Sequence, residues 1–229
     1  MADFYIDFET VRESRYYSDI SEKKQALFAK RYFSEFYQAE NPEMSIDDRW
    51  VDQAGLTAEF GMIVCMAVSW FTSDGRLATK VFSGTEFEIL VALKTIMMNN
   101  PKCRLIAHNG KKFDFPFATR RMIVHGIPVI SPLNTYGKKP WEAHGLLDTV
   151  DMWASTEFNP YISLDTLCEL LGVESPKEGE VNGESLGDFY WSDPAQAIKP
   201  ICDYCGRDTV ALAKVHKKLE DMLVPKLGE

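Results

Sequence analysis

Apolar and acidic side chains alternate along Phe4-Tyr5-Ile6-Asp7-Phe8-Glu9-Thr10, the period-two pattern of a half-buried strand. Tyr5, Asp7 and Glu9 fall on one face and Phe4, Ile6 and Phe8 on the other. A polar, charged stretch follows, from Val11 to about Leu56. Within it, Ser21-Glu22-Lys23-Lys24 and then Ala26, Leu27, Phe28, Tyr32, Phe33 and Phe36 predict one capped amphipathic helix, ended by Asn41-Pro42. The nearly unbroken apolar run in Glu59 to Phe71 predicts a central strand. Ser73-Asp74-Gly75-Arg76 predicts a hairpin turn and Leu77 to Phe82 the returning strand. A helix opens at Thr85-Glu86-Phe87-Glu88 and stops at Asn99-Asn100-Pro101. Arg104 to Asn109 reads as a fourth strand. Asp114 to His125 reads as a helix with Pro116 in its first turn. Leu146 to Val150 is a short fifth strand, Ser163 to Leu171 a short helix, and Gly179 to Gly187 a Gly/Glu-rich loop. Ala195 to Leu223 is mostly helix, interrupted near Pro200. Three strands, then alternating helix and strand, then a terminal helix, predict an α/β fold with a mixed sheet. The expected organisation is one domain over residues 1–229, with an insertion at about 11–57.

Composition narrows the function classes. The chain has 229 residues, 45% hydrophobic and 26% charged, with a formal net charge of −9. That is ordinary for a globular protein and excludes a polycation that coats duplex nucleic acid. Nucleic-acid binding would need local basic patches, or metal ions that neutralise an acidic site. Cys65, Cys103, Cys168, Cys202 and Cys205 are dispersed and odd in number, as expected of reduced thiols in a cytoplasmic protein. Cys202-x-x-Cys205 has no second Cys/His pair at zinc-ligand spacing, so a packing role is expected. Neither a signal peptide nor an apolar run of membrane-spanning length is evident.

The acidic residues change the picture. Asp7 and Glu9 on one strand face repel each other unless a cation lies between them. Alone, the pair reads as a strand edge with scattered charge. Asn109-x-x-x-Phe113-Asp114 sits where a strand ends and a helix begins, a common place for functional groups in α/β folds. Alone, Asp114 reads as a helix cap. Tyr204-x-x-x-Asp208 puts a phenol and a carboxylate one turn apart on one helix face. Alone, it reads as surface decoration.

Together, in this order, the three motifs resemble those of the DEDD superfamily, the RNase H-like, DnaQ-type 3′-to-5′ exonucleases. Tyr204, with Asp203 where the other branch would carry His, is similar to the DEDDy branch. That branch includes the proofreading domains of polymerase families A and B. Ala58 to Cys65, Ala107-His108-Asn109-Gly110, Lys139-Pro140-Trp141-Glu142, Leu147-Asp148-Thr149, Ser163-Leu164-Asp165 and Pro176-Lys177 resemble stand-alone, polymerase-B-like exonucleases of bacteria and phage. The resemblance implies an RNase H-like mixed sheet flanked by helices, with a helical insertion after the first strand. It implies hydrolysis of single-stranded DNA from the 3′ end to nucleoside 5′-monophosphates, with two Mg²⁺ or Mn²⁺ ions. Asp7 would bridge the ions, Glu9 and Asp208 would complete one site, Asp114 would support the other, and Tyr204 would orient the attacking water. Thr10 (through its backbone), Asn109, Phe113, Lys111 and Lys112 would contact substrate. Arg120, Arg121, Lys138 and Lys139 are further cations near the motifs, and Trp141 and Tyr161 are candidates for stacking on bases. His108 is expected to be structural; Asp148 and Asp165 read as caps or turn-makers. Three alternatives stay open: RNA trimming, a non-catalytic nucleic-acid-binding subunit, and a proofreading or defence subunit that works with a polymerase or a second copy.

Overall fold

The computed structural model describes residues 2–40, 42–139, 142–176 and 185–223. Five strands form one mixed sheet in the order β3-β2-β1-β4-β5. β1 (Asp3–Arg12) pairs antiparallel with β2 (Gly61–Phe71), which pairs antiparallel with β3 (Leu77–Ser83). On its other side β1 runs parallel to β4 (Arg104–Ala107), which runs parallel to β5 (Leu146–Asp148). The parallel steps are made through helices, α4 (Glu86–Asn99) before β4 and α5 (Asp114–Val124) after it.

The first strand is therefore central, not half-buried. Ile6 and Phe8 pack under α4 and α5 with Met66, Leu93 and Phe115. Tyr5 is buried on the opposite face with Ile106, Leu212 and Ala213. That second face is covered by α9 (Pro194–Leu223), which brings Ile201 and Cys205 against Val64, Cys65 and Ala67. Pro200 does not interrupt α9. It removes one backbone donor, but the buried neighbours Ala197 and Ile201 hold both sides of the gap to the sheet.

Between β1 and β2 the expected single helix is two, α1 (Glu22–Tyr32) and α2 (Glu35–Glu40). Ser21 caps α1 by accepting from the Lys24 amide, and the chain leaves helical geometry at Phe33 (φ −132°, ψ 29°). A third helix, α3 (Ile46–Gln53), opens on a capping box of Ser45 and Asp48. Phe28, Tyr32, Trp50 and Phe60 make a small aromatic core there, with Phe28 and Trp50 ring centroids 5.0 Å apart. α6 (Thr149–Ala154) starts where the fifth strand was expected to continue, because the Asp148 carboxylate accepts from the Val150 amide and caps it. α7 (Leu164–Leu171) and α8 (Leu186–Ser192) complete the helices that flank α9. α8 begins at the end of the expected Gly/Glu-rich loop, most of which (residues 179–184) lies outside the described residues. Arg12 holds α8 to the end of β1 through an ion pair with Asp188 at 2.7 Å. Among the described residues no helix is long and apolar enough to cross a membrane.

Candidate active site

Three segments bring the acidic motifs together. β1 carries Asp7 and Glu9. Its register with β2 shifts between Glu9 and Thr10, so one extra residue of β2 bulges beside the acids. α9 lies over this face of β1 in a register set by side-chain hydrogen bonds. Cys205 Sγ donates to the Asp7 carbonyl at 3.5 Å, Thr209 Oγ1 meets Ser69 Oγ at 2.8 Å, and His216 Nδ1 meets the Tyr5 hydroxyl at 3.2 Å. With α9 fixed this way, Tyr204 and Asp208 face the carboxylates of β1. The Tyr204 phenol hydrogen-bonds Asp208, and its charged neighbours are Asp208, Glu9 and Asp7.

Asp114 arrives from the turn between β4 and α5. That turn is held by one carboxylate: Asp148 accepts from the amides of Asn109 (2.8 Å), Lys111 (3.0 Å) and Val150 (2.9 Å). Asn109 takes a left-handed conformation (φ 58°), which Asn tolerates better than most residues. Gly110 is required by close approach, since a Cβ there would lie 2.2 Å from that of Ala107. Asp148 was read as a cap, and it does cap α6. Its larger task, clamping the Asn109 turn, had no signal in sequence because its partners lie about forty positions away. Asp114 is not the cap of α5. Phe113 takes that position, while Asp114 is buried in the first turn beside Asp7.

The electrostatics are unusual for a folded interior. Burial pushes the Asp7 carboxyl up to about 6. Burial, followed by the charges of Asp7 and Asp208, pushes Glu9 well above the usual carboxylate range. Asp114 is raised for the same reasons, burial first and then Asp7. Tyr204 is raised by burial and the surrounding acids, so its phenol is neutral at pH 7. Among the described residues no Lys or Arg forms an ion pair with Asp7, Glu9 or Asp114. Oxygen donors packed together without a protein cation fit a hard divalent ion. Ligand atoms of Asp7, Glu9 and Cys205 lie within 4.8 Å of one another. The sulfur is the member that sequence reasoning missed, although Cys205 directly follows Tyr204 on the helix.

Other expected contacts are placed as follows. Asn109 lines a 330 Å³ cleft with His108, Tyr161, Tyr204 and Asp208. Phe113 is partly buried against the main core, 5.6 Å from Phe117 ring to ring. Thr10 donates its hydroxyl to the Gly55 carbonyl at 2.8 Å. Lys111 pairs with Asp151 at 2.9 Å, and Lys112 reaches Asn159 Oδ1 (2.8 Å) and the Pro160 carbonyl (3.2 Å). Arg121 is no surface cation: it is buried with Glu86. Arg120, Lys138 and Lys139 border a separate 360 Å³ pocket beside α5. Trp141 lies outside the described residues. His108 is bonded at both ring nitrogens, to Thr149 Oγ1 at 2.9 Å and the Ile162 carbonyl at 2.8 Å.

Residues 52–220 match the family description of the RNase H superfamily. The match includes Asp114, Tyr204 and Asp208; β1 with Asp7 and Glu9 precedes it, across the helical segment. Among solved structures the chain is similar to the family B DNA polymerase from the hyperthermophilic archaeon Pyrobaculum calidifontis. Identity is 16%, the TM-score 0.55, and the alignment covers 93% of this chain and 24% of the polymerase. At that identity the likeness shows the fold, and the chain spans about a quarter of the polymerase's length. No curated protein matches the chain.

Proposed function

The chain belongs to the RNase H superfamily, and from that premise we propose that it is a 3′-to-5′ exonuclease of the DEDDy type acting on single-stranded DNA ends. The observation that carries this reading is the meeting of Asp7, Glu9, Asp114 and Asp208 with Tyr204, drawn from β1, α5 and α9, without a pairing Lys or Arg from the described chain on the first three. A surface role would not bury Glu9 and Asp114, and a packing role would not leave them without an ion-pair partner among the described residues. Residues 1–229 are read as one exonuclease domain, with 11–57 as its insertion. DNA is preferred over RNA on the likeness to a DNA polymerase.

Two divalent ions, Mg²⁺ or Mn²⁺, would neutralise the phosphate and supply a hydroxide-like water at neutral pH. Asp7, which neighbours both Glu9 and Asp114, would hold the ions together with Glu9, Asp208 and Asp114. Tyr204 is too weak an acid to be the base, so its role is to hold the attacking water through the hydroxyl that also bonds Asp208. Attack breaks the bond from phosphorus to the 3′ oxygen of the upstream nucleotide. That oxygen takes a proton from solvent, and a nucleoside 5′-monophosphate leaves. Asn109 and Phe113, beside the acids, together with the Thr10 backbone, are assigned to the terminal nucleotide. Lys111 and Lys112, each with donors to spare, are assigned to phosphate.

The test is digestion of a 5′-labelled single-stranded DNA and its RNA counterpart with Mg²⁺, Mn²⁺ or EDTA, by wild type and Asp7→Asn. A ladder descending from the 3′ end of DNA that needs both metal and Asp7 is expected. Faster loss of RNA would move the assignment to an exoribonuclease. Intact substrate under every metal would sink the enzyme reading.

A further inference from the structure

We propose that Phe158 and Tyr161 form a stacking clamp for the unpaired bases that precede the 3′-terminal nucleotide. This rests on the exonuclease reading of the adjoining cleft. Both rings are exposed to a degree that folding does not explain: Phe158 is 96% exposed and Tyr161 82%. They flank Asn159-Pro160 on the connection between α6 and α7. Pro160 is buried, so the segment is anchored between its two exposed rings. Lys112 bonds Asn159 and Pro160 from the turn that carries Asn109, and His108 bonds the carbonyl of Ile162, the next residue along. Ser155 holds positive φ (54°), a conformation that persists only where the surroundings enforce it, and Asn159 turns the chain at the same φ, which Asn tolerates. Two aromatics are thus held out to solvent on a segment tied to the candidate site.

The location selects the occupant. Tyr161 lines the same cleft as Asn109, Tyr204 and Asp208. A strand whose last phosphodiester meets the carboxylates therefore passes this segment. The chain carries a net charge of −9 and repels phosphates at long range. Neutral stacking is the attraction that remains available for bases, and it is indifferent to their identity. Bases of a duplex are already stacked and cannot use the rings, so the clamp favours single strands.

Binding is measured by anisotropy with the full chain in Ca²⁺, chosen to hold the site without turnover. One probe is a 5′-fluorescein (dT)₁₀. The second is the same strand carrying a base only at its 3′-terminal nucleotide. Wild type is expected to prefer the first, and Phe158→Ala and Tyr161→Ala are each expected to weaken it about tenfold. Binding of the abasic strand should change less than twofold, and Tyr161→Phe should bind as wild type. Equal losses on both strands, unchanged affinity in the alanine variants, or no binding of either strand would overturn the clamp. A protein that shows this binding pattern and cuts nothing in Mg²⁺ or Mn²⁺ would instead overturn the exonuclease reading and leave the clamp standing.

Discussion

Two groups of buried carboxylates in this protein have opposite fates. Glu86, in the first turn of α4, accepts from Arg121 Nε at 2.9 Å and from the Ile63 amide at 2.8 Å, and pairs with His125 at 2.6 Å. Burial works to raise its pKa, yet these partners bring it below the ordinary value. Glu9 and Asp114 are buried and Asp7 is half-buried, and all three are shifted upward, first by desolvation and, for Glu9 and Asp114, then by the charges of neighbouring acids. The first group is neutralised by the chain itself and joins α4, α5 and β2. The second has no Lys or Arg partner among the described residues. Burial alone does not mark a site; burial without compensation does.

The sharpest way to break this contrast is to remove one charged side chain from each group. On the proposed reading, Asp7→Asn deletes a charge that the fold does not need and the reaction does. With several kcal/mol of transition-state stabilisation lost, turnover should fall about 10³-fold or more. The melting temperature in EDTA should hold or rise. A variant that loses activity by unfolding would show that Asp7 is structural.

Arg121→Ala is the mirror experiment. It strands Glu86 without its guanidinium and frees the Ala58 carbonyl, which accepts from Arg121 Nη1 at 2.9 Å. Breaking such a buried pair costs about 3 kcal/mol, read as a lower urea midpoint. Activity per folded molecule should stay near that of wild type. Wild-type stability with lost turnover would place Arg121 in the reaction and erase the distinction between the two groups.

Tyr204→Phe probes the neutral member of the site. It removes one hydrogen bond to a charged group, about 1.5–3 kcal/mol, so kcat should fall about 10–100-fold with KM little changed. A fall in KM affinity alone would make Tyr204 a binding residue.

Much of this was legible in the sequence, and the exceptions share a cause. The strand and hairpin pattern placed β1, β2 and β3, and helical spacing placed α4, α5 and α9, because each is amphipathic or apolar along its own length. β1 was misjudged as half-buried since Tyr5, Asp7 and Glu9 look polar. In the fold, Tyr5 is buried and its hydroxyl is paired with His216 on α9, 211 positions away. α3 was missed because its capping box uses Asp48 where Glu is the usual signal. Asp148 and Cys205 were seen as residues but not as parts of the site. Their partners, Asn109 and Asp7, come near only through the parallel pairing of β4 with β5 and the return of α9. Local pattern fixes elements; what clamps the site depends on contacts that no local pattern carries.

The smallest effect expected is also the most specific to the contrast. A carboxyl whose folded pKa is raised binds more protons folded than unfolded, so it costs stability as pH rises from its unfolded value toward its folded one. For Asp7 that window runs from 3.8 to about 6, and Glu9 and Asp114 extend it upward. Glu86, shifted down, contributes stability of the opposite sign, lost as pH falls below its unfolded value of 4.5. His108 and His216 are lowered, chiefly by burial, and act against the site acids, adding stability as pH rises toward 6.5. The raw pH profile therefore mixes two signs, and the informative quantity is wild type minus Asp7→Asn. In EDTA, that difference in melting temperature should become more negative by a few degrees between pH 5 and pH 8. Mg²⁺ or Mn²⁺ should remove it at pH 8, because bound cation stabilises only the wild-type cluster fully. Parallel curves with and without metal would mean that the acids are compensated after all, and that the two groups differ in position but not in kind.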